Sequence, residues 1–131
     1  MCPGYFIRLK MKIKSFITQE FFRNAIVHWV SIASFLINGV CWGALVFFIR
    51  PVDFPIILHY NVYFGVDIIG AWWQAYFLPL IALAVMAVNM VLAYYFYKHG
   101  ERMISYILLL AAFLVQISGA IAIGGIIRIN Y

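Results

Sequence analysis

"IIGAWWQAYFLPLIALAVMAVNMVLAYYFY", residues 68–97, contains no Asp, Glu, Lys or Arg from one end to the other. It exceeds the roughly 20 residues a helix needs to cross about 30 Å of hydrocarbon. Two further stretches share this property, Asn24 to Ile49 and Met103 to Ile127. With 67% of its 131 residues hydrophobic and 10% charged, the chain lacks the polar side chains to cover a water-soluble core. The sequence predicts an all-α integral membrane protein with three transmembrane helices. Spans fall at about 24–49, 71–97 and 103–127 in a single membrane domain, 24–131. Residues 1–23 form a basic interfacial segment, and residues 50–70 connect the first two spans.

Lysine and arginine set the expected orientation. Arg8, Lys10, Lys12, Lys14 and Arg23 precede the first span, and Lys98 and Arg102 lie between the second and third. Only Arg50 and Arg128 fall on the other side, so seven of the nine basic residues flank one face. The positive-inside bias places the N-terminus in the cytoplasm and the C-terminus outside. A basic flank beside anionic lipid accounts for the net charge of +5 without a nucleic-acid partner.

The uncharged run of the first span is too long for a typical signal-peptide core, and no small-x-small cleavage site follows, so it reads as a retained anchor. Cys2 is expected inside and Cys41 within the bilayer, which implies no disulfide. The N-terminal segment has two readings. "IRLKMKIK", residues 7–14, alternates like a strand that would need a partner. From Phe16 onward, Ile17, Phe21 and Phe22 suggest an interfacial helix running into the first span. Met11 followed by "KIK" offers an alternative start, which would make residues 1–10 dispensable.

Packing faces follow from spacing. His28, Ser31, Phe35 and Asn38 share one face of the first span, and Gly39 and Gly43 form a pair that permits close helix approach. In the second span Ala75, Pro79, Ala82, Met86, Asn89 and Ala93 recur at spacings of four and three, a seam of small and polar positions. Pro79 is expected to kink the outer half. Trp72, Trp73 and Tyr76 form an outer aromatic belt, and Tyr94, Tyr95 and Tyr97 an inner one. "KHGER", residues 98–102, is a tight turn that makes the second and third spans an antiparallel hairpin. Ala112, Gln116, Ala120 and Gly124 line one face of the third span, with Gln116 about a turn in depth from Asn89. The intramembrane polar residues His28, Asn38, Asn89 and Gln116 can either line a path or bond helices together. The lack of a charged residue in any span favours bonding.

The first connection, "PVDFPIILHYNVYFGVDIIG" (residues 51–70), concentrates polar residues. Pro51 and Pro55 exclude a regular helix and favour extended backbone. Gly65 and Gly70 suit turns, and Asp67 can cap the entry to the second span. His59, Asn61 and Asp67 are expected to form one hydrogen-bonded cluster folding this loop over the helix ends; the competing reading is a recognition site. His59 and Asp67 have no serine or cysteine nucleophile in the same stretch, and with Asn61 they make a poor zinc set. No catalytic, cofactor or metal residues are expected.

Phe54, His59, Tyr60, Asn61, Gly65, Asp67 and Gly70 also carry a pattern, "FPIILHYN" followed by spaced Gly, Asp and Gly. It resembles a small bacterial membrane domain of unknown function that occurs in SdpI-type immunity proteins, where a similar motif lies between two membrane helices. The chain departs from it after Gly70, where Ala71, Trp72 and Trp73 replace small polar and basic residues. Longer members of that family also carry more spans. The resemblance implies a multi-pass protein of the bacterial cytoplasmic membrane. The expected function is non-enzymatic binding of a partner, as an accessory subunit, receptor or immunity or signalling factor, in contact with lipid and with other membrane subunits or further copies of itself. The alternative is an oligomeric channel or transporter lined by His28, Asn38, Asn89 and Gln116.

Overall fold

The computed structural model describes residues 3–131, so the expectation for Cys2 falls outside the described residues. Four helices and one β-hairpin follow in order: α1 (Pro3–Arg23), α2 (Ala25–Phe48), β1 (Ile56–Asn61), β2 (Gly65–Gly70), a 3-10 turn (Trp72–Tyr76), α3 (Phe77–Lys98) and α4 (Arg102–Asn130). Three of the helical stretches, Ala25–Phe48, Trp72–Lys98 and Arg102–Asn130, are long and apolar enough to cross a membrane. Only 22% of the most apolar window in each is buried within the chain, so most of their apolar surface needs lipid or another protein to cover it. Three helices of this length and apolarity are what a multi-pass membrane protein requires. The all-α expectation is corrected by the two-stranded hairpin.

The three long helices meet along seams with a spacing of three and four. On α2 the buried positions are Val27, Ser34, Asn38, Cys41 and Leu45. On α3 they are Pro79, Ala82, Met86, Ala93 and Tyr97, continuing the stripe from Ala75, and Asn89 is half-buried. On α4 they are Ser105, Leu109, Ala112, Gln116, Ile123 and Ile126. A period near 3.5 keeps each seam on its neighbours over several turns. The α3 stripe matches the expected one. On α2 the expected face is rotated: Asn38 is buried, but His28 and Phe35 are exposed. On α4 the expected face drifts beyond Ala120, because Ile123 rather than Gly124 turns inward. Gly39 and Gly43 are also exposed, and a Cβ added at either would touch nothing within 4 Å, so this pair serves no close approach within the chain.

Two apolar clusters lie at opposite ends of the bundle. At the hairpin end Cys41, Leu45, Ile49, Ile56, Ala75, Ile123 and Ile126 pack together. At the basic end Phe21, Val27, Ala93, Tyr97 and Leu109 do so. The 3-10 turn at the hairpin end has a local cause. Pro79 has no N–H for the Ala75 carbonyl, and the residues before it close with shorter bonds, such as Gln74 N to Ala71 O at 3.0 Å. The irregularity expected at Pro79 is therefore a change of winding, and Pro79 itself sits in the first turn of α3.

The strand reading of residues 7–14 is overturned, because α1 is helical through them. A helix bonds its own backbone groups and needs no partner strand. α1 ends where Asn24 leaves helical geometry (ψ 125°) and its Oδ1 accepts from Ile26 N and Val27 N, starting α2 afresh. Its last turns dock on the basic end. Phe21, fully buried, packs edge-on against Tyr94 and Tyr97. The Thr18 and Tyr94 hydroxyls are 2.8 Å apart, Asn24 Nδ2 donates to Tyr106 OH at 2.8 Å, and Arg102 pairs with Glu20 at 3.0 Å. Gly100 at φ +87° closes the turn from α3 to α4, in a left-handed conformation that favours glycine.

Candidate functional site: a projecting hairpin above an amide clasp

β1 and β2 pair antiparallel, with Ile56 opposite Gly70 and Asn61 opposite Gly65. The connecting turn is Val62, Tyr63 and Phe64. Asn61 Oδ1 accepts from Tyr63 N at 2.9 Å, an Asx turn, and Gly65 at φ +79° returns the chain to the second strand. The three turn residues stand out at 84%, 90% and 83% exposure. Tyr60, Val66, Ile68 and Ile69 are exposed as well, so the projecting hairpin is largely apolar.

Two contacts pin it. Ile56 is buried in the hairpin-end cluster. Asn130, on the last turn of α4, accepts from Ile57 N at 2.9 Å and donates to Ile57 O at 2.6 Å. Its second amide hydrogen goes to Ile126 O at 2.9 Å. One side chain thus does for Ile57 what a neighbouring strand would, and it covers the outer edge of β1 at that point. Gly70 is closely approached, since a Cβ there would fall on the Gln74 side chain and 2.7 Å from Leu58 Cδ1, and both side-chain ends would have to move aside. That Gln74 oxygen accepts from Ala71 N and starts the 3-10 turn.

His59 Nδ1 lies 3.3 Å from Asp67 Oδ2, bridging the strands across a bulge. Their side chains are 59% and 34% exposed, and a pair so open to solvent contributes at most about 1 kcal/mol. Asn61 does not join them; its oxygen is engaged in the turn. The expected three-residue cluster is thus two separate features, and Asn130, absent from that expectation, ties the hairpin down. Asp67 lies within β2 and does not cap the helix that follows.

Of the intramembrane polar residues, the structure joins Asn38 and Gln116. Asn38 Nδ2 donates to Gln116 Oε1 at 3.0 Å and to Pro79 O at 2.9 Å. Trp42 Nε1 donates to Asn38 Oδ1 at 3.0 Å, and Gln116 Nε2 donates to Ala82 O at 2.8 Å. This amide clasp ties α2, α3 and α4 in one layer between the two apolar clusters. Asn89 bonds elsewhere, to Leu108 O at 3.2 Å. His28 is exposed beside the Trp29 ring and joins no polar contact with the other three. Trp42 was legible as the residue one turn after Asn38; Asn130 had only its polarity at the end of an apolar helix to mark it.

Among the described residues no three His, Cys, Asp or Glu side chains gather in a metal-binding arrangement. No family model, curated protein or solved structure matches the chain.

Proposed function

We propose that this is a non-enzymatic membrane protein that binds a partner, with the β-hairpin as the docking element on the outer side. The observation that carries this reading is the turn Val62–Tyr63–Phe64, nearly fully exposed on a hairpin fixed at its base. A pinned aromatic tip loses little conformational freedom on binding, and Tyr and Phe offer large contact area. The partner is another membrane protein whose outer surface offers an apolar cleft for the tip. Asn130 occupies the β1 edge at Ile57, which leaves β2 as the side on which a partner strand can add. The positive-inside bias supports placing the hairpin outside and α1 in the cytoplasm. The resemblance of residues 54–70 to the motif of SdpI-type immunity proteins is compatible with an immunity or signalling role in a bacterial membrane.

Against the channel alternative stands the bonding of Asn38 and Gln116. Their amide groups are directed to each other and to helix carbonyls, rather than to a path.

The test is affinity purification in mild detergent of the native chain and of a Tyr63→Ser/Phe64→Ser variant. The native chain is expected to retain a stoichiometric protein partner and the variant to lose it, with thermal stability altered by no more than a few degrees. Recovery of a lone monomer under several detergents, or equal retention by both chains, would sink the proposal.

A further inference from the structure

A groove of about 290 Å³ runs between α1 and the end of α3, lined by Lys10, Ile13, Lys14, Ile17 and Lys98. Four of these residues come from one side of α1, at spacings of three and four, and Lys98 closes the groove from the other element. The docking of α1 through Phe21, Thr18 and Glu20 brings them together. Of the nearby carboxylates, Glu20 is engaged by Arg102, and Glu101 lies in the α3–α4 turn. Among the described residues neither forms an ion pair with the three lysines. Lys98 also ends the apolar stretch of α3, which is the depth at which a bilayer's phosphates lie.

We propose that this groove binds the headgroup of an anionic phospholipid and so fastens α1 to the membrane surface. The lysine stems and Ile13 and Ile17 form the apolar wall that lies against the glycerol and upper acyl chain, and the three ammonium groups at its rim reach the phosphate. An isoleucine floor is the reason for choosing a lipid over a free anion, since a soluble phosphate gains nothing from it. The site does not depend on what the hairpin binds.

The experiment uses the full chain in a non-ionic detergent, titrated with phosphatidylglycerol, phosphatidylcholine or inorganic phosphate. Bound lipid is counted by native mass spectrometry and thermal stability is followed in parallel. Phosphatidylglycerol is expected to bind in preference to phosphatidylcholine, with inorganic phosphate neither stabilising the chain nor displacing the lipid. Lys14→Gln/Lys98→Gln should weaken binding by about fivefold for each lysine removed, the factor equivalent to ~1 kcal/mol. Arg8→Gln/Lys12→Gln removes the same number of positive charges, both from α1 outside the groove, and should leave binding within about twofold. Equal losses in the two variants would reduce the effect to general basic attraction and overturn the site. So would equal binding of the two lipids, or displacement of phosphatidylglycerol by inorganic phosphate.

Discussion

Asn38 makes three hydrogen bonds with one amide, to Gln116 on α4, Pro79 on α3 and Trp42 on its own helix α2. Removing Asn38 strands Gln116 Oε1 and Trp42 Nε1; removing Gln116 strands part of Asn38. Asn38→Leu and Gln116→Leu should each lower stability in detergent by about 1–2 kcal/mol, and the double variant should lose less than the sum. Strict additivity in a thermal or denaturant double-mutant cycle would show that the two amides act independently. The residues of this clasp were legible in the sequence, and their pairing was not. Depth on α3 and α4 can be counted from the short turn that joins them, which puts Gln116 about a turn past Asn89. The depth of α2 cannot be counted across the long connection from Ile49 to Ala71, so nothing identified Asn38 as the partner. The rotated α2 face has the same origin: polarity marked His28, but near a helix end an imidazole can face outward at little cost.

At the scale of elements, the three long helices follow from uncharged length alone, and the α3 seam from its spacing. The hairpin was only half visible. Pro51 and Pro55 indicated extended backbone, but β1 and β2 are only six residues each, and the bulge near His59 breaks the alternation that marks a strand. The available signal was Asn61 and Gly65 bracketing a three-residue turn between two isoleucine-rich runs. Asn130→Ala tests what holds this element. It removes both bonds to Ile57, so chymotryptic cleavage at Tyr63 or Phe64 in detergent should quicken by about tenfold, as expected for losing ~1–2 kcal/mol of local stability. The melting temperature of the bundle should change little. Unchanged cleavage would mean that Ile56 and its cluster suffice to hold the hairpin.

For the whole molecule, the hairpin and the α3–α4 turn lie at opposite ends, and the proposed orientation sends them to opposite sides of the membrane. With Cys2→Ser and Cys41→Ala as background, Tyr63→Cys should react with an impermeant maleimide in intact cells. His99→Cys should react only after permeabilisation, and the reverse pattern would invert the topology. The amide clasp has a consequence at this scale too. Where acidic or basic side chains join membrane helices, the joint responds to its surroundings, since moving one charge across the bilayer is worth roughly 2.3 kcal/mol per 100 mV of transmembrane potential. Carboxamides neither ionise at physiological pH nor carry net charge. The joint between α2, α3 and α4 therefore offers no ionisable group to a proton gradient and no net charge to a voltage, so whatever couples this bundle to an energised membrane must act elsewhere than at its seam.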